Sequence, residues 1–260
     1  MDSESPVKRG VSGMFDLQDF TFTQMTQVGA NLRTLGAGAG SMEEVANRIV
    51  QYLYNHFISK ETGQKACVLV RLFKTHAFGD LDEPLRNFAR DMLRDNPADG
   101  EMKCLTLLAT AGEKPEWNSR LTSEGHKAIP LPSERAVQNA PMISQLLSQL
   151  GLSFSALQKA DPTLMLEREQ SAFNVFHVPE AQGSAYVPAQ KEFVISYGVK
   201  SVVGFGGLLP TGDLFAVILF ARVHVSRESA ELFKTLALSA KLAMVPLAGR
   251  QVFAESAWQL

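Results

Sequence analysis

Two hundred and sixty residues, 45% hydrophobic and 20% charged, describe an ordinary globular chain and exclude general disorder. Lys and Arg number 25 against 27 Asp and Glu, so the formal net charge is −2 and no bulk field draws the chain to nucleic acid or to an anionic membrane surface. The longest uninterrupted apolar run, 214–221, is too short to span a bilayer, the first ten residues carry no secretory pattern, and two lone cysteines, Cys67 and Cys104, fit a reducing cytoplasm rather than a disulfide scaffold.

In chain order, residues 1–40 read as a leader plus a helix. Leu17, Phe20, Met25, Val28, Leu32 and Leu35 give a helical spacing over 16–35 that ends in the run Gly36-Ala-Gly-Ala-Gly40. Ser41-Met-Glu-Glu44 is a capping box, and an apolar stripe from Met42 to Phe57 predicts a helix to about residue 59. Residues 66–73 (ACVLVRLF) are a β-rich strand. Residues 82–94 return to helical spacing, and 102–109 form a second strand. The stretch 112–132 is loop-rich and carries Trp117 and His126; 133–140 and 141–150 are short helices, with another helical turn or two at 161–170. A short strand is expected at 173–178 and a short amphipathic helix at 188–197. Residues 201–209 and 214–223 flank Pro210-Thr-Gly-Asp213, which predicts a hairpin; the second strand is apolar on both alternating faces and belongs inside the sheet. Ser226 caps a closing helix that runs to about 245, where Pro246 stops it. The fold class is therefore α+β: a central, mostly antiparallel sheet, long N- and C-terminal helices on one face, and a helical insert at about 112–170.

The segment from Tyr197 to Phe220, followed by 226–246, resembles the end of a GAF domain: a short helix, a strand, a proline before a glycine turn, a second strand and a closing amphipathic helix. Ala216 stands where that family usually has Gly. The opening helix from Ser41 and the strand from Ala66 sit where the family would have them, so the resemblance covers 41–247 and leaves 248–260 as a tail. A PAS-like fold fits the two flanking helices less well. The resemblance implies a sensory domain with a small-molecule cavity beneath residues 173–197. The Asn-Lys-Phe-Asp-Glu motif of the cyclic-nucleotide members is absent, and neither cysteine has the adjacent His of the bilin-attaching members, so the ligand and any cofactor stay undeclared.

The candidate ligand-binding residues are His177, Tyr186, Phe193, Tyr197, Phe205 and Trp117. His177 ends an apolar strand and enters the loop 177–186; its bland alternative is a histidine bonded into loop backbone. The aromatics Phe173 and Phe176 belong to the same stretch and suit the core. In Gly204-Phe-Gly-Gly207, glycine marks close approach of a ligand or of another backbone. No His-Glu-x-x-His and no Gly-x-Ser-x-Gly occurs, and Gly36–Gly40 lacks the strand and lysine of a phosphate loop, so it reads as a hinge.

Three readings follow. The leading one is a non-catalytic regulatory module that binds a small molecule and signals through the helices 16–35 and 226–245. Those helices would form a homodimer interface and act on a partner such as a histidine kinase. The alternative is a thiol-redox or hydrolytic enzyme on the same scaffold, which requires Cys67 and Cys104 to meet or His177 to turn over substrate. The third is a dimerisation module with a collapsed cavity.

Overall fold

A computed structural model describes residues 13–94, 97–158 and 174–254. The expected turns at 161–170 and Phe173 lie outside them.

The chain opens with a two-residue strand, β1 (Phe15–Asp16), and helix α1 (Phe22–Thr34). The helix starts six residues later than the spacing predicts, because Thr21 supplies a capping box with Gln24 while Phe15 and Asp16 pair in parallel with β2 (Phe57–Ile58). Between them lies α2 (Met42–His56), whose cap is Ser41 as expected. Strand β3 (Cys67–Ala77) runs four residues beyond the predicted end. Then come α3 (Glu83–Leu93) and β4 (Lys103–Gly112). The loop-rich stretch conceals a further strand, β5 (Ala128–Leu131), which pairs antiparallel with β4. Helices α4 (Glu134–Gln138), α5 (Pro141–Gln149) and α6 (Phe154–Gln158) follow, then β6 (Val175–Val178). Gln190–Ile195 forms a π-helical turn, entered through Ala189 at φ 55°. The hairpin is β7 (Ser201–Leu208) and β8 (Leu214–Ala221), turned at Gly212 with φ 80°. The closing helix is two pieces, α7 (Arg227–Glu231) and α8 (Phe233–Met244), divided at Leu232.

The main sheet has the order β5-β4-β3-β8-β7-β6, and every pairing is antiparallel. The α+β arrangement expected from the sequence is thus present, with β8 inside the sheet. Its alternating residues feed two cores. Phe215, Val217, Leu219 and Ala221 face a core shared with α1, α2 and α8; Leu214, Ala216, Ile218 and Phe220 face the opposite, outer core.

The helix-side core is dense and aromatic. Phe233 of α8 has ring centroids 5.2 Å from Phe20 and 5.7 Å from both Phe57 and Phe205. Helices α1 and α8 pack closely: a Cβ on Gly29 would lie 3.0 Å from Ser239 Oγ, and one on Gly36 would collide with the Ala243 carbonyl. Gly36 therefore serves helix contact at the end of α1. The residues after α8 also join this side. The carbonyls of Gln251 and Val252 accept from the first backbone N–H groups of α2 at 3.0 and 2.8 Å, and Phe253 stacks on His76.

Candidate functional site

The outer face is built by strand register. Arg71 of β3 lies directly opposite Thr110 of β4 and Ile218 of β8; Ile218 lies opposite Gly204, and Gly204 opposite Phe176. Partners in register share a face, so Thr110, Arg71, Ile218, Gly204 and Phe176 form one row across the sheet. The next row contains Gly112, Leu69 and Phe220. It lies about 7 Å along the strands, at two residues' rise.

An aromatic group stands on that second row. Trp117, from the 3-10 turn Pro115–Asn118, rests on Gly112, where a Cβ would approach its ring to 3.0 Å. Its ring lies 5.7 Å from Phe193 and 5.0 Å from Tyr197, and Phe193 meets Phe220 edge-on at 5.1 Å. The Lys114 ammonium lies 5.4 Å from both the Trp117 and Tyr197 rings. Trp117, Phe193 and Tyr197 are all part-exposed. Behind them Ala181, Val187, Val194 and Val199 bury their side chains in the outer core, which seats the 181–199 segment over this face.

The first row carries polar groups with almost no polar partners. Arg71 is 8% exposed and its Nη2 donates to Ser123 Oγ at 3.0 Å. Its Nε has no acceptor, and Thr110 Oγ1, wholly buried, has no partner either. Among the described residues no carboxylate pairs with this guanidinium. Burial lowers the Arg71 pKa to about 10, which still leaves it charged at neutral pH. His126 follows Gly125 in the left-handed region at φ 55°; although its side chain is exposed, partial desolvation and the Arg71 charge lower its pKa.

The six residues singled out from the sequence therefore divide. Trp117, Phe193 and Tyr197 meet on the outer face. Tyr186 lies in the loop before Phe193 and is 43% exposed. His177 and Phe205 lie on the other side of the sheet. His177 alternates with Phe176 and Val178, and its Nε2 lies 2.9 Å from the Val225 carbonyl oxygen, while its backbone N–H donates to Gln149 Oε1 at 2.6 Å. This is the backbone-bonded histidine of the bland alternative, and burial lowers its pKa. Phe205 is fully buried against Phe233. The glycine run also resolves: a Cβ on Gly206 would strike the Phe215 carbonyl and one on Gly204 would meet Ile218 and Phe176, so strand β8 and its neighbours occupy those approaches.

Arg71, Thr110 and Ser123 escaped the sequence reading, which names His126 and Phe220 without giving them a place in the candidate site. One signal was available: Arg71 interrupts an otherwise apolar strand at an alternation position that a buried face would fill with hydrocarbon.

Other candidate chemistry is weaker. Cys104 stands opposite His76 in β4, and Cys67 lies nine residues before His76 on β3, so the cysteines are separated by about 30 Å. Both are buried, and burial raises their pKa values to about 12 for Cys67 and about 11 for Cys104. A Cys67–Cys104 redox couple is excluded by that distance. No group of three His, Cys, Asp or Glu among the described residues could hold a metal ion. An open cleft of about 260 Å³ by the β1–β2 pair is lined by Asp16, Gln18, Asp19, Lys60 and Glu61 and holds no converging donor set. No described helix is long and apolar enough to cross a membrane.

No family model matches the chain, and no curated protein matches it. Among solved structures it is similar to the phycocyanobilin-bound GAF domain of a cyanobacterial phytochrome, at 10% identity over 86% of this chain and 94% of that one, with a TM-score of 0.44. A phycoerythrobilin-bound GAF domain from a cyanobacterial phytochrome gives 9% identity over 86% and 94%, with a TM-score of 0.40. A bacteriophytochrome from the photosynthetic bacterium R. palustris gives 9% identity over 88% of this chain and 38% of that one, with a TM-score of 0.42.

Proposed function

We propose that this chain is a divergent GAF-type sensory domain in which a small molecule seats on the outer face of the sheet, between the Arg71–Thr110 row and the Trp117–Tyr197 aromatics. The observation that carries the reading is the meeting of buried, partnerless polar atoms with part-exposed aromatic rings on one face. A chain that needed this face only for packing would fill it with hydrocarbon, because an unpaired buried charge is costly. The motif order from Tyr197 to Pro246 supports the family reading, and the separation of the cysteines disfavours the redox alternative.

The signal would cross the sheet. Strand β8 lends alternate residues to both cores, so a shift of Ile218 or Phe220 under the ligand is felt by Val217 and Leu219 against α8. The ligand's effect is limited to its difference in affinity between the two arrangements. Phe22 on α1 and Leu238 and Leu242 on α8 expose large apolar surface, the latter two one turn apart. A second copy covering these helices, and a kinase-type partner reading their arrangement, complete the proposal.

Native mass spectrometry with an absorption spectrum of freshly purified protein tests it. The expected result is a retained small molecule in the wild type that is absent after Trp117→Ala combined with Tyr197→Ala, with far-UV circular dichroism unchanged. Bare chain mass in the wild type, or a retained molecule indifferent to both substitutions, contradicts this location.

A further inference from the structure

We propose that the molecule taken by this face is an organic carboxylate, with its anionic group on Arg71 and Thr110 and its apolar or aromatic body against Trp117, Phe193 and Tyr197. This deepens the sensory reading and rests on it.

Four observations carry the assignment. First, Arg71 projects from the middle of a central strand, so its position is fixed by sheet register rather than by a mobile loop. Second, its guanidinium offers five donors and stays charged at neutral pH, yet among the described residues it makes one bond, to a neutral hydroxyl, and the Nε is left over. A guanidinium matches a carboxylate through two parallel N–H···O bonds, and an anion there would satisfy the orphan donor and compensate the buried charge together. Third, Thr110 Oγ1 is directly opposite in register and equally orphaned, so its hydroxyl is free to donate to a second oxygen of the same group. Fourth, apolar groups lie beside the guanidinium and the carboxylates near the aromatic group are already paired: Ile218 and Phe176 lie along the row, the aromatic group lies one row away under Lys114, Glu116 pairs with Lys114 at 3.8 Å, and Glu113 pairs with Arg222. Arg120, the other deeply buried arginine, has its own carboxylate within the fold. Arg71 has none among the described residues.

The test uses the full chain, dialysed, with three probes followed by thermal unfolding and by calorimetric titration: benzoate, its neutral counterpart benzamide, and inorganic phosphate. The expected result is that benzoate binds and raises the unfolding midpoint while benzamide does not. Arg71→Met should weaken benzoate by on the order of 10- to 100-fold, the loss of charge-assisted bonds, and Thr110→Val by about fivefold. A second expectation needs no ligand: Arg71→Met should unfold at the same or a higher midpoint than wild type in ligand-free buffer, because it removes an uncompensated buried charge. Binding of phosphate in preference to benzoate keeps the anion site and overturns the carboxylate. Equal binding of benzoate and benzamide, unchanged in Arg71→Met, overturns the anion site and leaves the sensory reading standing. No response to any probe, or a ligand-free Arg71→Met that unfolds well below wild type, overturns the proposal; the retained-mass experiment then judges the sensory reading separately.

Discussion

Two arginines are buried to the same degree in this molecule, and their surroundings are opposite. The Arg120 guanidinium forms an ion pair with Glu43, Nε to Oε1 2.7 Å and off hydrogen-bonding geometry, with both side chains near 10% exposed, and it lies over the Phe253 ring at 4.8 Å. Glu43 in turn accepts from the Ala254 backbone N–H at 3.0 Å. That arginine is part of a closed structural joint between the start of α2, the 113–127 loop and the end of the described chain. Arg71 has the same burial and, among the described residues, a single neutral partner. Burial by itself therefore does not single out a candidate site; a buried charge left without a counter-charge among the described residues does. The contrast extends to the two faces of the sheet. The helix side is closed by interlocked aromatics, whereas the outer side combines hydrocarbon with orphan polar atoms.

The comparison can be broken at either arginine. Glu43→Gln should have the largest effect, because it leaves the buried Arg120 without a counter-charge, as Arg71 is among the described residues. A loss of about 3–5 kcal/mol is expected in urea unfolding. A loss below about 1 kcal/mol would mean that the fold tolerates an unpaired arginine generally, and Arg71 would cease to be exceptional.

The next effect is a pH dependence beside the same joint. His76 is buried against Phe253, neither ring nitrogen has a partner at hydrogen-bonding geometry, and burial followed by the Lys74 charge lowers its pKa to about 3. Between the ordinary value of 6.5 and about 3 the unfolded chain binds a proton that the folded chain does not. Stability from this residue is therefore full above pH 6.5 and is lost as pH falls toward 3. His76→Phe should remove about 2–3 kcal/mol of acid sensitivity, compared with wild type, at about pH 4.5. Parallel pH profiles for the two proteins would refute this. Asp213 contributes in the same direction at lower pH. Burial raises its pKa, but the Lys74 ammonium at 2.8 Å, with Thr211 and Lys103, more than offsets that and holds it below 3.8.

The smallest effects sharpen the contrast between faces. Phe205→Leu should cost roughly 1 kcal/mol in unfolding and leave any retained ligand in place. Trp117→Ala, at a part-exposed ring, should change the ligand more than the midpoint. The reverse pattern would move the site to the helix side of the sheet.

Most of the frame was legible from the sequence because it rests on local signals. Ser41 and Ser226 cap the helices they were expected to cap, Pro210–Asp213 turns the hairpin, and the two-sided apolar pattern of 214–221 placed β8 inside the sheet. The errors arose where pairing overrides spacing. Asp16 and Leu17 fall within the helix predicted over 16–35, yet Phe15–Asp16 pairs with β2. Residues 128–131 carry a proline and no alternation, yet they pair at the sheet edge, where Pro130 has no inner ladder to break. The site was half legible. Aromatic composition found Trp117, Phe193 and Tyr197, but strand alternation within 173–178 and 201–208 had to be phased by register before His177 and Phe205 could be assigned to the other face. Arg71 depends on the absence of a partner, which no local window contains.

The most direct measurement is the electron density of the protein as purified, beside Arg71, Thr110 and Trp117 on the outer face of the sheet. The expectation is non-protein density with two oxygens within hydrogen-bonding distance of the Arg71 guanidinium and its body along the aromatic rings. A carboxylate of this same chain closing on Arg71, with hydrocarbon side chains filling the remaining space, would contradict it.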